Sequence, residues 1–337
     1  MYRFFFTHAA AYIMTGGSLV SGADMTLQKN ALITVFGGTG FLGRHIVKRL
    51  AKSGHRLRIA TRRPNEALFL KTNGTPGQID IVQANIRDDA STKAALQGAD
   101  GVVNAVGILF ESGKQKFNSL QAEGATRIAE AAKAQGISSM VHISAIGADS
   151  ASASLYAQSK AAGEEGVIAA LPEAHILRPS IVVGPEDDFF NRFAAMAMLA
   201  PALPLIGGGV TNYQPVSVFD VAAAVEACFA GAEAGTYELG GPNVLSFKGL
   251  MEMLLAEIGR NRLLVPMPFA AARVIATFAQ FMPTPLLTPD QLILLRSDNV
   301  VTQGAKGFAD LALAPEPIAG LLPSYLARYR PAGKKPR

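Results

Sequence analysis

The chain has 337 residues, 49% of them hydrophobic and 17% charged, with a formal net charge of +5. That length supports one large domain, or a domain with a subdomain, around a substantial core. A single cysteine, Cys228, excludes an intramolecular disulfide, the five histidines are scattered without metal-ligand spacing, and no basic–aromatic pattern points to nucleic acid.

No stretch reaches about 18 uninterrupted apolar residues, so a membrane span is not expected. The first 24 residues carry an apolar patch at Phe4-Phe5-Phe6, broken by Thr7 and His8, and a single Arg. That makes a poor signal peptide. The expectation is that Met25 is the natural start and that residues 1–24 are an over-called or disordered extension. A weak targeting peptide is the alternative.

The organising stretch is Ile33-Thr34-Val35-Phe36-Gly37-Gly38-Thr39-Gly40-Phe41-Leu42-Gly43. A β-branched run enters three glycines spaced G-x-x-G-x-x-G. A helical pattern follows, with Ile46, Val47 and Leu50 on one side and Arg44, Lys48 and Arg49 on the other. This reads as strand, tight turn, helix. Gly37 suits the turn, Gly40 lets backbone approach a pyrophosphate, and Gly43 lets the helix pack closely on the sheet. The helix N-terminus, with Thr39, Phe41 and Leu42 around it, offers free N–H groups and a positive dipole end to phosphates.

Strands are predicted at Arg56–Thr61, Ile79–Ala84, Gly101–Val106, Met140–Ser144 and His175–Val183, with helices at Phe117–Gln135 and Leu155–Leu171. Strands alternating with helices imply an α/β fold, a Rossmann-type doubly wound parallel sheet with right-handed crossovers. From Gly184 the chain is rich in Phe, Met, Ala and Pro. Pro215–Val218 reads as a short strand, Asp220–Phe229 as a helix capped by Asp220, and Thr236–Leu239 as a final strand. Residues 246–259 and 269–282 read as helices of a smaller C-terminal region. The expected organisation is therefore a dinucleotide-binding Rossmann domain over 25–183, a C-terminal region over 184–330 interleaved with the last strands, and a basic tail over 331–337. The tail ends in Lys334-Lys335-Pro336-Arg337, either a solvated end or a contact for anionic lipid or an acidic partner.

The second strand ends at Ala60-Thr61-Arg62-Arg63-Pro64. Where an acid would hold the ribose hydroxyls of NAD, two arginines stand instead. Arg pairs with a 2′-phosphate through charge-assisted contacts, which points to NADP(H) over NAD(H), with Arg62 first and Arg63 assisting. Asn85 and Ile86 after the third strand are expected to flank the adenine. Ala105, Val106 and Gly107, after Asn104 in the fourth, are expected to line the cofactor.

Ser144 ends the fifth strand, and Tyr156 and Lys160 stand four apart on one helix face. A Lys ammonium beside a Tyr hydroxyl favours the phenolate, so the expectation is a lowered Tyr156 pKa, with Tyr156 as acid/base, Lys160 its activator and Ser144 the oxygen anchor. The plainer alternative makes Tyr156 a core-edge aromatic and leaves Lys160 to hold the cofactor ribose.

The glycine turn, Ser144, Tyr156/Lys160 and Leu177-Arg178-Pro179-Ser180-Ile181-Val182-Val183-Gly184-Pro185 resemble the atypical or extended short-chain dehydrogenase/reductases. Leu171-Pro172-Glu173-Ala174, Gly184-Pro185-Glu186-Asp187-Asp188-Phe189-Phe190-Asn191-Arg192-Phe193 and Gln214-Pro215-Val216-Ser217-Val218-Phe219-Asp220-Val221-Ala222 are similar to the NADPH-binding accessory subunits of respiratory complex I and their bacterial relatives. The likeness covers roughly residues 30–325. It implies a tightly held NADP(H) with Tyr156, Lys160 and Pro179 at the nicotinamide end. It also implies a role in assembling or stabilising complex I at the membrane junction near the quinone site, without an established turnover. The location implied is cytoplasmic or peripheral on the inner face of the inner membrane, the matrix side in a eukaryote. The alternative is an active NADP-dependent oxidoreductase or epimerase on a small, lipid-like or quinone carbonyl or a sugar. Two residues depart from the superfamily pattern. Gln121 stands where extended members show an active-site Asn, and Asn85-Ile86 replaces an Asp–aliphatic pair. The apolar helix Phe269–Met282 is expected either to pack on the core or to face lipid or a partner subunit.

Overall fold

The computed structural model describes residues 26–331, apart from 281, 283, 284 and 286. The expectations for residues 1–24 and for Lys334–Arg337 lie outside the described residues.

The first strand, β1 (Leu32–Phe36), is buried from Ile33 onward and lies between β2 (Arg56–Thr61) and β4 (Gly101–Asn104), parallel to both. Beyond β2 lies β3 (Ile79–Gln83). Beyond β4 come β5 (Ser139–Ile143), β6 (His175–Pro179) and, at the far edge, the strand Gly235–Leu239. A strand covered on both faces needs a continuous apolar run, and Ile33, Val35, Val102, Val103, Met140 and Val141 supply it at full burial. The result is one seven-stranded parallel sheet whose order reverses between β1 and β4, where ligands of such folds sit at the carboxyl ends of the strands.

On one face α1 (Phe41–Lys52) places Ile46, Val47 and Leu50 against Ile59, beside α6 (Val218–Phe229) with Val221, Val225 and Phe229. On the other, α2 (Asp89–Leu96), α3 (Glu123–Ala134) and α4 (Leu155–Ala170) cover Val102, Met140 and Ile176. The smaller C-terminal region has its own apolar cluster. Phe190 and Ala194 of α5 (Phe189–Leu199) pack with Leu203 and Leu205 of β8 (Ala202–Ile206), with Phe247, Leu250 and Leu254 of α7 (Phe247–Glu257), and with Tyr325 of α10 (Leu322–Leu326).

Several boundaries depart from the sequence pattern. The predicted helix Phe117–Gln135 begins as a π-helical turn, Asn118–Ala122, before α3. The predicted strand His175–Val183 divides into β6 and β7 (Val182–Val183), because the sheet ends at Pro179 while β7 pairs separately with β10 (Val216–Ser217). The α6 helix starts at Val218 with Ser217 as its cap, and Asp220 instead accepts the Glu316 N–H at 3.0 Å. β8 forms a parallel pair with β13 (Leu263–Met267) that local patterning does not announce. The remaining short strands are β9 (Asn212–Tyr213) with β12 (Leu245–Ser246), and the edge strand of the large sheet is β11. The helix α8 (Phe269–Ala279) buries only Ala272 and Ala276, leaving Val274, Ile275 and Phe278 outward. It is followed by α9 (Pro289–Leu294), which opens with a capping box between Thr288 and Gln291. No helix among the described residues is long and apolar enough to cross a membrane.

Candidate functional site

The carboxyl ends of β1, β4 and β5 converge on the glycine turn. Gly37 adopts φ +80°, and a Cβ there would meet the Ala105 carbonyl carbon at 2.7 Å. The strand-end loop Ala105–Val106 therefore lies directly against the turn. A Cβ on Gly43 would stand 2.0 Å from the Gly37 carbonyl oxygen. The first turn of α1 thus lies hard against the backbone that leaves β1. Gly40 caps α1 without a side chain, so the first N–H groups of the helix are left for another acceptor. Phe41 and Leu42 are half-buried in the first turn, Phe41 edge-on to His45 at 6.0 Å.

Arg44, unremarked in the sequence beyond its helical face, ties this loop down. Its guanidinium donates to the Thr39 and Gly40 carbonyls at 3.2 and 3.3 Å, and pairs with Glu186 at 3.6 Å.

Off the ends of β2 and β3 lies a cavity of about 500 Å³ lined by Arg62, Gln83, Ala84, Asn85, Asp88 and Ser91. Arg62 and Asn85 thus share one space. Arg63 does not join them, since it turns to Glu66 at 3.1 Å on the exposed surface. Ile86 is also turned away, buried against Gly124. Of each expected pair, one member lines this cavity and the other points elsewhere.

The residues expected at the nicotinamide end come from β5, its following loop and α4. Ser144 is buried and its hydroxyl has no hydrogen-bond partner. The Lys160 ammonium donates to the Ile143 carbonyl at 3.0 Å, and burial pulls its pKa down to about 8, partly offset by Glu164. Tyr156 contradicts the expected lowering. Burial first, then the carboxylate of Asp290, push its phenol up to about 12. Asp290 accepts the Leu155 and Tyr156 N–H groups at 2.7 and 3.3 Å and the Ser154 hydroxyl at 2.8 Å, so a residue of α9 completes the N-terminus of α4. Gln121 accepts the Ile108 N–H and donates to Ser159 at 2.9 Å, bridging the loop after β4 to α4. Gly107 is exposed beside Gln121 and the Lys160 ammonium. Pro179 is buried at the end of β6, its carbonyl accepting the Ile146 N–H at 3.0 Å.

Beneath this, Asn104 accepts the Val106 N–H at 3.1 Å, which leaves its amide to donate to His142 Nδ1 at 3.1 Å. The ring proton of His142 then sits on Nε2, buried and unpartnered. Burial, with Lys160 nearby, lowers its pKa from 6.5 to about 3. The unfolded chain takes up this proton as pH falls through 6.5, while the folded chain resists until about 3, so stability is lost on acidification across that window. Urea unfolding is expected to show lower stability at pH 5 than at pH 7, and His142→Gln to flatten that difference.

This fold and glycine turn define a short-chain dehydrogenase/reductase architecture. The model of the NAD dependent epimerase/dehydratase family matches residues 33–240. The chain is 38% identical over 334 residues to the Arabidopsis thaliana mitochondrial NADH dehydrogenase [ubiquinone] 1 alpha subcomplex subunit 9, covering 95% of this chain and 81% of that one. It is 31% identical over 300 residues to the Neurospora crassa mitochondrial NADH-ubiquinone oxidoreductase 40 kDa subunit, covering 88% and 79%. Among solved structures it resembles the Citrobacter sp. triphenylmethane reductase, with a TM-score of 0.69 at 19% identity over 87% of this chain and 99% of that one. The chain therefore belongs to the NAD dependent epimerase/dehydratase family and, within it, to the family of the complex I alpha subcomplex subunit 9.

Proposed function

We propose that this protein is an accessory subunit of a respiratory NADH:ubiquinone oxidoreductase, holding an NADP(H) whose role is chiefly structural. The observation that carries the reading is the reach of the likeness. The match to the Arabidopsis subunit covers 95% of the chain, whereas the family model stops at residue 240, so the likeness continues into the C-terminal region.

The residues present fit the cofactor. The glycine cradle has no room for a Cβ at Gly37 or Gly43, and the open N-terminus of α1 suits a pyrophosphate. Arg62 and Asn85 line the cavity suited to a phosphorylated adenosine. Ala105, Val106 and Gly107 would lie along the dinucleotide, with Tyr156, Lys160, Ser144 and Pro179 at its nicotinamide end. Bound there, the nicotinamide could exchange a hydride. The protein's own groups are poorly set for the matching proton step. The Lys160 ammonium faces a carbonyl, and Tyr156 near 12 is a weak acid at neutral pH. A cofactor that binds only the folded chain stabilises it by about 2.7 kcal/mol at a hundred times its Kd. In this reading it braces the subunit, which docks peripherally on the inner face of the inner membrane, the matrix side in a mitochondrion.

Isolation from native membranes is expected to bring down other subunits of the oxidoreductase, and purified protein with NADPH is expected to show no absorbance loss against a panel of carbonyls and quinones. Turnover abolished by Tyr156→Phe would overturn the structural role. Arg62→Ala is expected to cut the ratio of NADP(H) to NAD(H) affinity by about tenfold or more, measured by calorimetric titration. An unchanged ratio refutes the assignment of Arg62.

A further inference from the structure

The segment Ile108–Phe117 leaves the loop after β4 and returns to α3 as a strap between the two ends of the site. At its base the Ile108 N–H donates to Gln121 and the Phe117 N–H donates to Glu111 at 2.9 Å. The Phe117 ring meets Tyr156 edge-on at 5.8 Å. At its tip Ser112 and Gln115 exchange backbone hydrogen bonds of 3.1 and 2.9 Å, closing a tight bend.

Two arginines of the adenine end hold that tip. Arg87 donates to the Lys114 carbonyl at 2.9 Å and to the Asn85 side-chain oxygen at 3.4 Å. Arg62 donates through one Nη2 to the Gln115 side-chain oxygen at 3.3 Å. Neither guanidinium meets a carboxylate within ion-pair distance among the described residues. Asp88 lines the same cavity, but its carboxylate accepts the Ser91 N–H at 2.7 Å as the cap of α2. Both cations are thus held by neutral acceptors: Arg62 lines the cavity itself, and Arg87 is tied to it through the side chain of Asn85. An Arg fork has five donors, and Gln115 occupies one, which leaves an edge able to grip a phosphate.

We propose that the strap is the specificity element of this site: Gln115 sets the Arg62 guanidinium and Arg87 pins the tip, so that both cations serve a phosphomonoester on the ribose of a bound adenine dinucleotide. The inference rests on the dinucleotide reading above and adds to it two positioning residues outside the glycine turn and the second strand. Gln115 acts through Arg62. Arg87 acts through the strap and contributes its own charge.

The test is calorimetric titration of the full chain with NADP⁺ and with NAD⁺, for the wild type and for Gln115→Ala, Gln115→Glu, Arg87→Met and Arg62→Ala. Gln115→Ala is expected to weaken NADP⁺ by about threefold, the loss of one positioning hydrogen bond. Gln115→Glu is expected to weaken it by about tenfold or more, because the new carboxylate occupies Arg62 and repels the phosphate. Arg87→Met is expected to weaken it by about fivefold. NAD⁺ affinity should stay within about twofold throughout, since no phosphate contact is lost. If Arg62→Ala collapses the preference while the strap variants keep it, the strap inference is wrong and the cofactor reading stands. If Arg62→Ala also leaves the ratio unchanged, the cofactor reading itself fails. Parallel loss of both ligands in the strap variants would make the strap a merely structural brace and overturn its role in specificity.

Discussion

Gly43→Ala is expected to abolish measurable dinucleotide binding and to lower the unfolding midpoint in thermal melts with and without NADP(H). The added Cβ would stand 2.0 Å from the Gly37 carbonyl oxygen and 2.8 Å from the Gly38 Cα. Both contacts are backbone, so no side-chain rotation relieves them. The chain must either open the turn or shift α1, and both Ile46 and Val47 are locked in the core beneath it. Overpacking of this kind costs about 1–3 kcal/mol or more. Opening the turn also pulls Gly37 away from Ala105. The N–H groups at the start of α1 then lose the geometry a pyrophosphate requires, which is why binding should suffer more than stability. Gly40→Ala provides the contrast. Its nearest contact would be 3.3 Å, to the Gly37 carbonyl oxygen, so a milder effect on both readouts is expected. Equal effects from the two substitutions would refute this account of the turn.

The second large effect is expected at Arg178. Its guanidinium donates to both carboxylate oxygens of Glu164, at 2.5 to 3.2 Å, and lies 3.6 Å from Glu238. Both carboxylates are nearly buried, with side-chain exposures of 5% and 9%. One cation on β6 thus joins α4 to β11 at the sheet edge. Arg178→Met would strip two nearly buried carboxylates of the guanidinium they share, and breaking such a pair by one partner costs about 3–5 kcal/mol. Urea unfolding of Arg178→Met should show a loss of that order. The double variant Arg178→Met/Glu164→Leu should lose less than the sum of the single losses, because it removes one of the two stranded charges and leaves only Glu238 without its guanidinium. Additive losses would mean that the pair is not the unit of stabilisation. Glu164 lies one turn from Lys160 and already raises that lysine's pKa. Freed from Arg178, its charge should raise Lys160 further, carrying the change to the Ser144, Tyr156 and Lys160 trio.

The trio Ser144, Tyr156 and Lys160 shows how far residue spacing reaches. Four residues on a helix put Tyr156 and Lys160 on one side of α4, and the end of β5 puts Ser144 at the same end of the sheet. Their electrostatics were not legible. The carboxylate acting on Tyr156 comes from Asp290, 134 residues downstream, and the group holding Lys160 is a strand carbonyl. Gln121 carried a visible signal, as a departure from the superfamily pattern. Its two-sided bridge became apparent only in three dimensions.

The local grammar belonged to the sequence. A β-branched run, three spaced glycines and an amphipathic helix dictate strand, turn and helix, because backbone sterics and side-chain periodicity act within a few residues. Alternation of such units, with right-handed crossovers, leads to a doubly wound parallel sheet. Tertiary structure alone decided which neighbour each charged or polar group found. It turned Arg63 outward to Glu66 and left Arg62 with Gln115. It also brought Asp290 to α4, paired β8 with β13, and broke the strand after Pro179 where pairing with the sheet ends. Those outcomes depend on contacts between residues far apart in the chain, and Coulomb and desolvation energies follow distance in space, not in sequence.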